Sequence, residues 1–219
     1  MNLSLFAHPF SSYCQKALIA LYENSTRFSL KMLSPETPEN FNALKRLWPI
    51  GKFPVLEDNG TAIFEATSIV EYLAIQYPGP VQLIPHDPKP ALDVRQMDRV
   101  FDNYVMTPMN WIVQDARRAP ETKDPQAVVQ GRAVLDTSYR WLDQRMAGRE
   151  WSSGGTFSLA DCAAAPALFY ADWAHPIAEE FRNLRAYRSR LLARPSFARA
   201  VDEARPYRKL FPLGAPGRD

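Results

Sequence analysis

Five prolines crowd into residues 78–90, as Pro78, Pro80, Pro85, Pro88 and Pro90. Proline fixes φ and supplies no N–H, so this run cannot form one regular element. It divides the chain into two stretches with different periodicities. Ahead of it, Leu3–Ala7 reads as a buried strand, residues 9–12 as a loop, and Tyr13–Tyr22 as a helix with Ala17, Leu18, Leu21 and Tyr22 on one stripe. Phe28, Leu30 and Met32 alternate as a strand does, and residues 39–47 read as a short helix. Val55-Leu56 and Ala62-Ile63-Phe64 are short apolar runs on either side of an Asp58-Asn59-Gly60 turn, a strong hairpin signal. A helix follows, with Ile69, Val70, Leu73, Ala74 and Tyr77 on one face. The order is β-α-β-α-β-β-α. A helical crossover makes the first two strands parallel, and the hairpin makes the last two antiparallel.

Beyond the prolines, strand signals largely stop. Residues 91–117 repeat at helical spacing through Val94, Met97, Phe101, Tyr104 and Val105, and residues 126–146 through Val129, Ala133, Leu135, Tyr139 and Leu142. Shorter helices are expected over 159–170, 179–192 and 196–204, with an irregular tail over 206–219. The fold class is therefore α/β plus all-α: a mixed unit over 1–78, a Pro-rich linker over 79–90, and an all-helical unit over 91–219.

The 219 residues, 46% of them hydrophobic, suffice for a core without disulfides. A formal net charge of +2, with no basic run interleaved with aromatics, argues against nucleic acid as partner. Met1-Asn-Leu-Ser-Leu-Phe has no positive n-region, and its apolar run breaks at His8-Pro9, so no secretory leader is expected. No apolar stretch approaches the roughly 20 residues of a membrane span. Cys14 and Cys162 are far apart and outside any Cys-x-x-Cys, which fits a reducing, cytoplasmic setting. His8, His86 and His175 show no metal-ligand spacing, so no metal is expected.

Residues 49–73 carry most of the functional signal. A Pro/Gly-bearing loop leads through Phe53-Pro54 into a strand, and Glu65-Ala66-Thr67-Ser68 opens an amphipathic helix. Together they can present main-chain hydrogen-bonding groups and a helix N-terminus to a small anionic, peptide-like ligand. Two capping boxes stand out. Ser12-Tyr-Cys-Gln15 would cap the first helix and leave the Ser11 hydroxyl free; alternatively Ser11 is itself the cap. Ser158-Leu-Ala-Asp161 opens a later helix, with Phe157 placed to staple onto Cys162. Asp161 reads as a capping residue whose removal costs on the order of 1 kcal/mol.

Five segments together resemble the glutathione S-transferases: Leu5-Phe-Ala-His-Pro-Phe-Ser-Ser-Tyr-Cys-Gln-Lys, Gly51-Lys-Phe-Pro-Val-Leu, Phe64-Glu-Ala-Thr-Ser-Ile-Val-Glu-Tyr-Leu, Phe157-Ser-Leu-Ala-Asp and Arg194-Pro-Ser-Phe. The resemblance runs over nearly the whole chain. It implies a thioredoxin-like domain joined to a helical one, assembly as a homodimer, and glutathione as cosubstrate in detoxification chemistry. By position, Ser11 matches the hydroxyl that activates the thiol in serine-type members. Phe53, before a cis Pro54, matches the backbone that binds the cysteinyl unit; an ordinary trans proline opening a strand is the alternative. Glu65 matches the acid that holds the glutamyl end, or is a first-turn acid favoured by the helix dipole. Ala66 departs from the family's usual serine. Its N–H can still meet a carboxylate, and Thr67 or Ser68 could compensate for the lost hydroxyl. Lys52 either reaches the glycyl carboxylate or is a solvated loop lysine.

The implied chemistry is stabilisation of the glutathione thiolate, then attack on a small hydrophobic electrophile. The electrophile's pocket is expected between the domains, with Tyr104, Met106, Met109 and Trp111 as candidates, although such residues at helical spacing also serve as core. Asp98 and Asp102 belong either to a solvated helix face or to contacts across a dimer. Two other functions stay open: a glutathione-dependent thiol reductase or peroxidase using Cys14, and a non-catalytic interaction module that kept the fold.

Overall fold

The computed structural model describes residues 3–219. Met1 and Asn2, part of the segment read above as carrying no leader, lie outside them. Among the described residues no helix is long and apolar enough to cross a membrane.

Four strands, β1 (Leu3–Ala7), β2 (Ser29–Met32), β3 (Val55–Asp58) and β4 (Thr61–Phe64), form one sheet in the order β2-β1-β3-β4. β1 pairs parallel with β2 and antiparallel with β3, and β3 pairs antiparallel with β4. The hairpin closes with Asp58 opposite Thr61. Its two loop residues, Asn59 and Gly60, have φ of 48° and 86°, the left-handed pair that suits the twist of a two-residue turn. Asp58 then ties the hairpin to the following helix, accepting from Tyr72 Oη at 2.8 Å and Tyr77 Oη at 2.6 Å. Around the sheet lie α1 (Ser12–Glu23), α2 (Pro38–Leu47) and α3 (Ala66–Gln76). One face of the sheet packs Phe6 and Val55 against Leu44 of α2, with Trp48 stacked on Phe64 at 4.2 Å. Its other face, with α1 and α3, joins a core continuous with the helical unit.

That unit comprises α4 (Pro88–Phe101), α5 (Thr107–Arg117), α6 (Pro125–Met146), α7 (Leu159–Ala174), α8 (Arg182–Ala193) and α9 (Pro195–Ala204). α7 is buried along nearly its whole length and packs on α1, so it forms the centre of the molecule. Its box is formed as read: Asp161 accepts from Ser158 N at 2.9 Å and Ser158 Oγ at 3.0 Å. Asp161 also accepts from Ser152 N at 3.0 Å and from Tyr187 Oη at 2.5 Å, so it ties a loop and α8 to the cap as well.

Three expectations need correction. Residues 91–117 are two helices with a π-helical turn, Asp102–Met106, between them. The physical cause is Pro108, which has no N–H for the carbonyl of Tyr104 one turn earlier. That carbonyl accepts instead from Ser138 Oγ of α6 at 2.8 Å. The second concerns α1, where the box at Ser12 is not the cap and the alternative reading holds: the helix begins one residue earlier. Ser11 is the N-cap, at φ −87° and ψ 125°, and Gln15 does not reach back to the cap. The Gln15 amide is buried and donates to Pro9 O at 2.9 Å and Tyr170 Oη at 3.2 Å. Finally, the tail is not wholly irregular. A 3₁₀ turn spans Arg205–Leu210, and the end of the chain returns to α7, where Arg218 pairs with Asp172.

Candidate active site

A cavity of about 480 Å³ opens where the start of α1, the loop before β3, α5 and the C-terminal tail converge. Ser11, Ser12 and Tyr13 line it from α1, and Lys52 and Phe53 from the loop, whose Phe53–Pro54 peptide is cis. Ser11 takes the N-cap conformation, yet its hydroxyl makes no capping bond to the α1 backbone. It therefore sits at the positive end of a twelve-residue helix, where a developing anion is stabilised. Burial, with Asp102, Glu65 and Asp98 adding to it, pushes the Tyr13 phenol up to about 12, so it remains protonated and can donate. His8 also lines the cavity, edge-on to Tyr207 at 4.6 Å. Its Nδ1 accepts from Phe10 N at 3.1 Å, and burial pulls the imidazole down, so it is neutral with the proton assigned to Nε2.

Glu65, Ala66 and Thr67 are not among the residues that line this cavity. Glu65 is exposed and holds φ 64° and ψ 126°, a left-handed backbone that costs a non-glycine residue roughly 1–3 kcal/mol. Strain of this kind collects at ligand-holding turns. Ala66 and Thr67 are buried. The Thr67 hydroxyl is already committed: it donates to Asp98 Oδ2 at 2.9 Å and accepts from Lys16 Nζ at 2.8 Å. It cannot replace the hydroxyl that Ala66 lacks.

Asp98 and Asp102 do not lie on a solvated face. Lys16, 1% exposed, reaches Asp98 Oδ1 at 2.6 Å and Asp102 Oδ2 at 2.8 Å, so its three protons all find acceptors among Thr67 and the two aspartates. Burial raises the Asp102 carboxyl, and Lys16 opposes that rise.

Of the four residues expected around the electrophile, Met109 lines the cavity. Met106 is 1% exposed in the core, whereas Tyr104 and Trp111 are 57% and 37% exposed and outside the lining. The α5 wall is instead Met109 and Val113 beside Asn110, Gln114 and Arg117. Residues 110, 114 and 117 recur at helical spacing, a polar stripe present in the sequence beside the apolar one. Leu210, Phe211 and Pro212 close the far side. Nothing local in the tail announces that role, because it depends on where α9 delivers the chain.

Cys14 is buried, and burial pushes its thiol up to about 12 against smaller opposing effects from the Ser11 hydroxyl and the backbone at His8. A thiol so placed is neither ionised nor accessible, which removes the basis for Cys14 redox chemistry.

A four-stranded mixed sheet with flanking helices, its cis-proline loop facing a helix N-terminus, and an all-helical partner unit together define a thioredoxin-like protein with a glutathione-transferase architecture. The family model described as glutathione S-transferase, N-terminal domain, matches residues 5–81, and that for the C-terminal domain matches residues 114–190. The chain belongs to the glutathione S-transferase family, an enzyme family whose cosubstrate is glutathione. Among curated relatives, glutathione S-transferase F13 of Arabidopsis thaliana is 24% identical, over 90% of this chain and 94% of its own. A stringent starvation protein A homolog of Haemophilus ducreyi is also 24% identical, over 93% and 92%. A glutathione S-transferase of Methylobacillus flagellatus, solved with glutathione bound, superposes with a TM-score of 0.81 at 25% identity, covering 91% of this chain and 98% of that one.

Proposed function

We propose that this chain conjugates glutathione to a small electrophile, with Ser11 donating a hydrogen bond that stabilises the thiolate. The observation that carries the reading is the position of Ser11: it heads α1, its hydroxyl makes no capping bond to the helix backbone, and the residue lines the same cavity as Phe53 and Lys52. An ordinary thiol near pKa 8.5 is only a few per cent ionised at neutral pH. A donor at the sulfur and the positive end of α1 both favour the anion. Phe53 would hold the cysteinyl unit through its backbone, Lys52 the glycyl carboxylate, and Glu65 with the Ala66 and Thr67 N–H groups the glutamyl end. The sulfur then attacks the electrophilic carbon. A carbon–sulfur bond forms, the leaving group departs with its electron pair, and the thiol proton passes to solvent. Cytoplasmic location and homodimeric assembly complete the reading, and light scattering of the purified chain tests the latter.

The test is titration of bound glutathione by thiolate absorbance in the unaltered protein and in Ser11→Ala. The thiol pKa should rise by about one unit or more in the variant, since one hydrogen bond to a charged group is worth roughly 1.5–3 kcal/mol. An unchanged pKa removes Ser11 from the mechanism. One observation favours a second reading, that of a non-catalytic interaction module: Ala66 lacks a hydroxyl and that of Thr67 is engaged elsewhere. Retention on immobilised glutathione with turnover supports the enzyme; absence of both supports the module.

A further inference from the structure

The charge on the cavity wall has one sign. Lys52 and Arg117 are its charged side chains, and no Asp or Glu lines it among the described residues. Arg117 is placed there by the last turn of α5, in line with Gln114 and Asn110 and beside the apolar Val113. A basic residue in a last helical turn ordinarily serves the helix dipole or a nearby carboxylate. Its neighbour Arg118 does so, 3.7 Å from Asp124 and 4.0 Å from Asp115. Arg117 has neither a carboxylate within salt-bridge distance nor a hydrogen bond to an α5 carbonyl among the described residues. An unpaired guanidinium facing a cleft is a bidentate receptor for a carboxylate, and a cleft lined by one sign of charge concentrates ligands of the other.

We infer that the second substrate is an electrophile bearing a carboxylate: Arg117 holds the anion, Asn110 and Gln114 supply further polar contacts, and the apolar body lies along Met109 and Val113. This deepens the transferase reading and rests on it. Lys52, on the sheet unit, stays with glutathione, whereas Arg117, on the helical unit, selects the partner molecule.

The test compares 1-chloro-2,4-dinitrobenzene with its anionic analogue 4-chloro-3,5-dinitrobenzoate. In each, the glutathione sulfur bonds to the ring carbon carrying chlorine and chloride leaves with the bonding pair, so the readout is the same. The ratio of kcat/KM, anionic over neutral, should fall roughly three- to tenfold in Arg117→Gln, further in Arg117→Glu, and recover in part in Arg117→Lys. Because Arg117 is exposed, added salt should lower the same ratio in the unaltered protein. A ratio unmoved by Arg117→Gln overturns the assignment, as does a matching rise in KM for glutathione, which would give Arg117 to the tripeptide. Should the unaltered protein conjugate neither probe, the transferase reading fails separately. Arg117 is then judged by tryptophan quenching with 3,5-dinitrobenzoate against 1,3-dinitrobenzene. A preference for the acid that Arg117→Gln abolishes supports it, and equal binding sinks it.

Discussion

Ser11 caps α1 and Thr67 lies in the first turn of α3, and their hydroxyls have different fates. Thr67 is locked between Lys16 and Asp98, while Ser11 makes no capping bond. Residue type alone does not separate them; the neighbours do. Cys14 shows the same dependence. In sequence it stands three residues after Ser11, where a redox motif would place a second cysteine, but α1 turns it into the core. Native protein treated with iodoacetamide at pH 8 should therefore leave Cys14 unmodified, and denaturant should expose it to full labelling, read by intact mass. Rapid modification of the folded chain would restore the thiol reductase as a candidate.

Helices and strands with strong local punctuation were legible from residues alone. The Asn59-Gly60 hairpin, the Ser158–Asp161 box and the parallel crossover between β1 and β2 all follow from turn chemistry, capping or periodicity. Where the sequence misled, a tertiary partner had overridden the local pattern. Gln15 completes the spacing of a box but is drawn to Tyr170 on α7. The π-helical turn before Pro108 depends on Ser138, thirty-odd positions later, to satisfy a carbonyl. The pocket wall is not legible in sequence because Met106 and Met109 are alike there and only the turn between α4 and α5 separates core from cavity. The spacing marks Asp161 as a cap, but its extra partners Ser152 and Tyr187 come from other segments. Asp161→Ala should accordingly cost about 3–5 kcal/mol rather than the 1 of a simple cap, because buried donors are left unpaired. The measurement is the urea midpoint, with the slope unchanged. A loss near 1 kcal/mol would mean that the added bonds contribute little.

At the scale of the whole molecule, Lys16 joins α1 of the sheet unit to α4 and the adjoining π-helical turn through two carboxylates. Lys16→Met leaves both aspartates without a buried counter-charge, a loss of about 3–5 kcal/mol at neutral pH. Its pH dependence follows from Asp102. A carboxyl raised by burial favours its protonated form in the fold. That contribution is present below the unfolded value of about 3.9 and lost as pH rises through the folded one. Without Lys16 the folded value climbs further, so the deficit of the variant should shrink between pH 7 and pH 5 when unfolding is followed at each. A deficit independent of pH would show that lost packing, not charge, is responsible.

Leu210, Phe211 and Pro212 complete the cavity from a tail that rests on α7 by contacts such as Arg208 over the Trp173 ring, far in sequence from the residues that would activate a thiol. Substitutions there can reshape what the enzyme accepts while leaving α1 and the cis-proline loop untouched. The specificity wall and the residues proposed to act on the thiol thus sit on separate stretches of chain, so variation in one need not disturb the other.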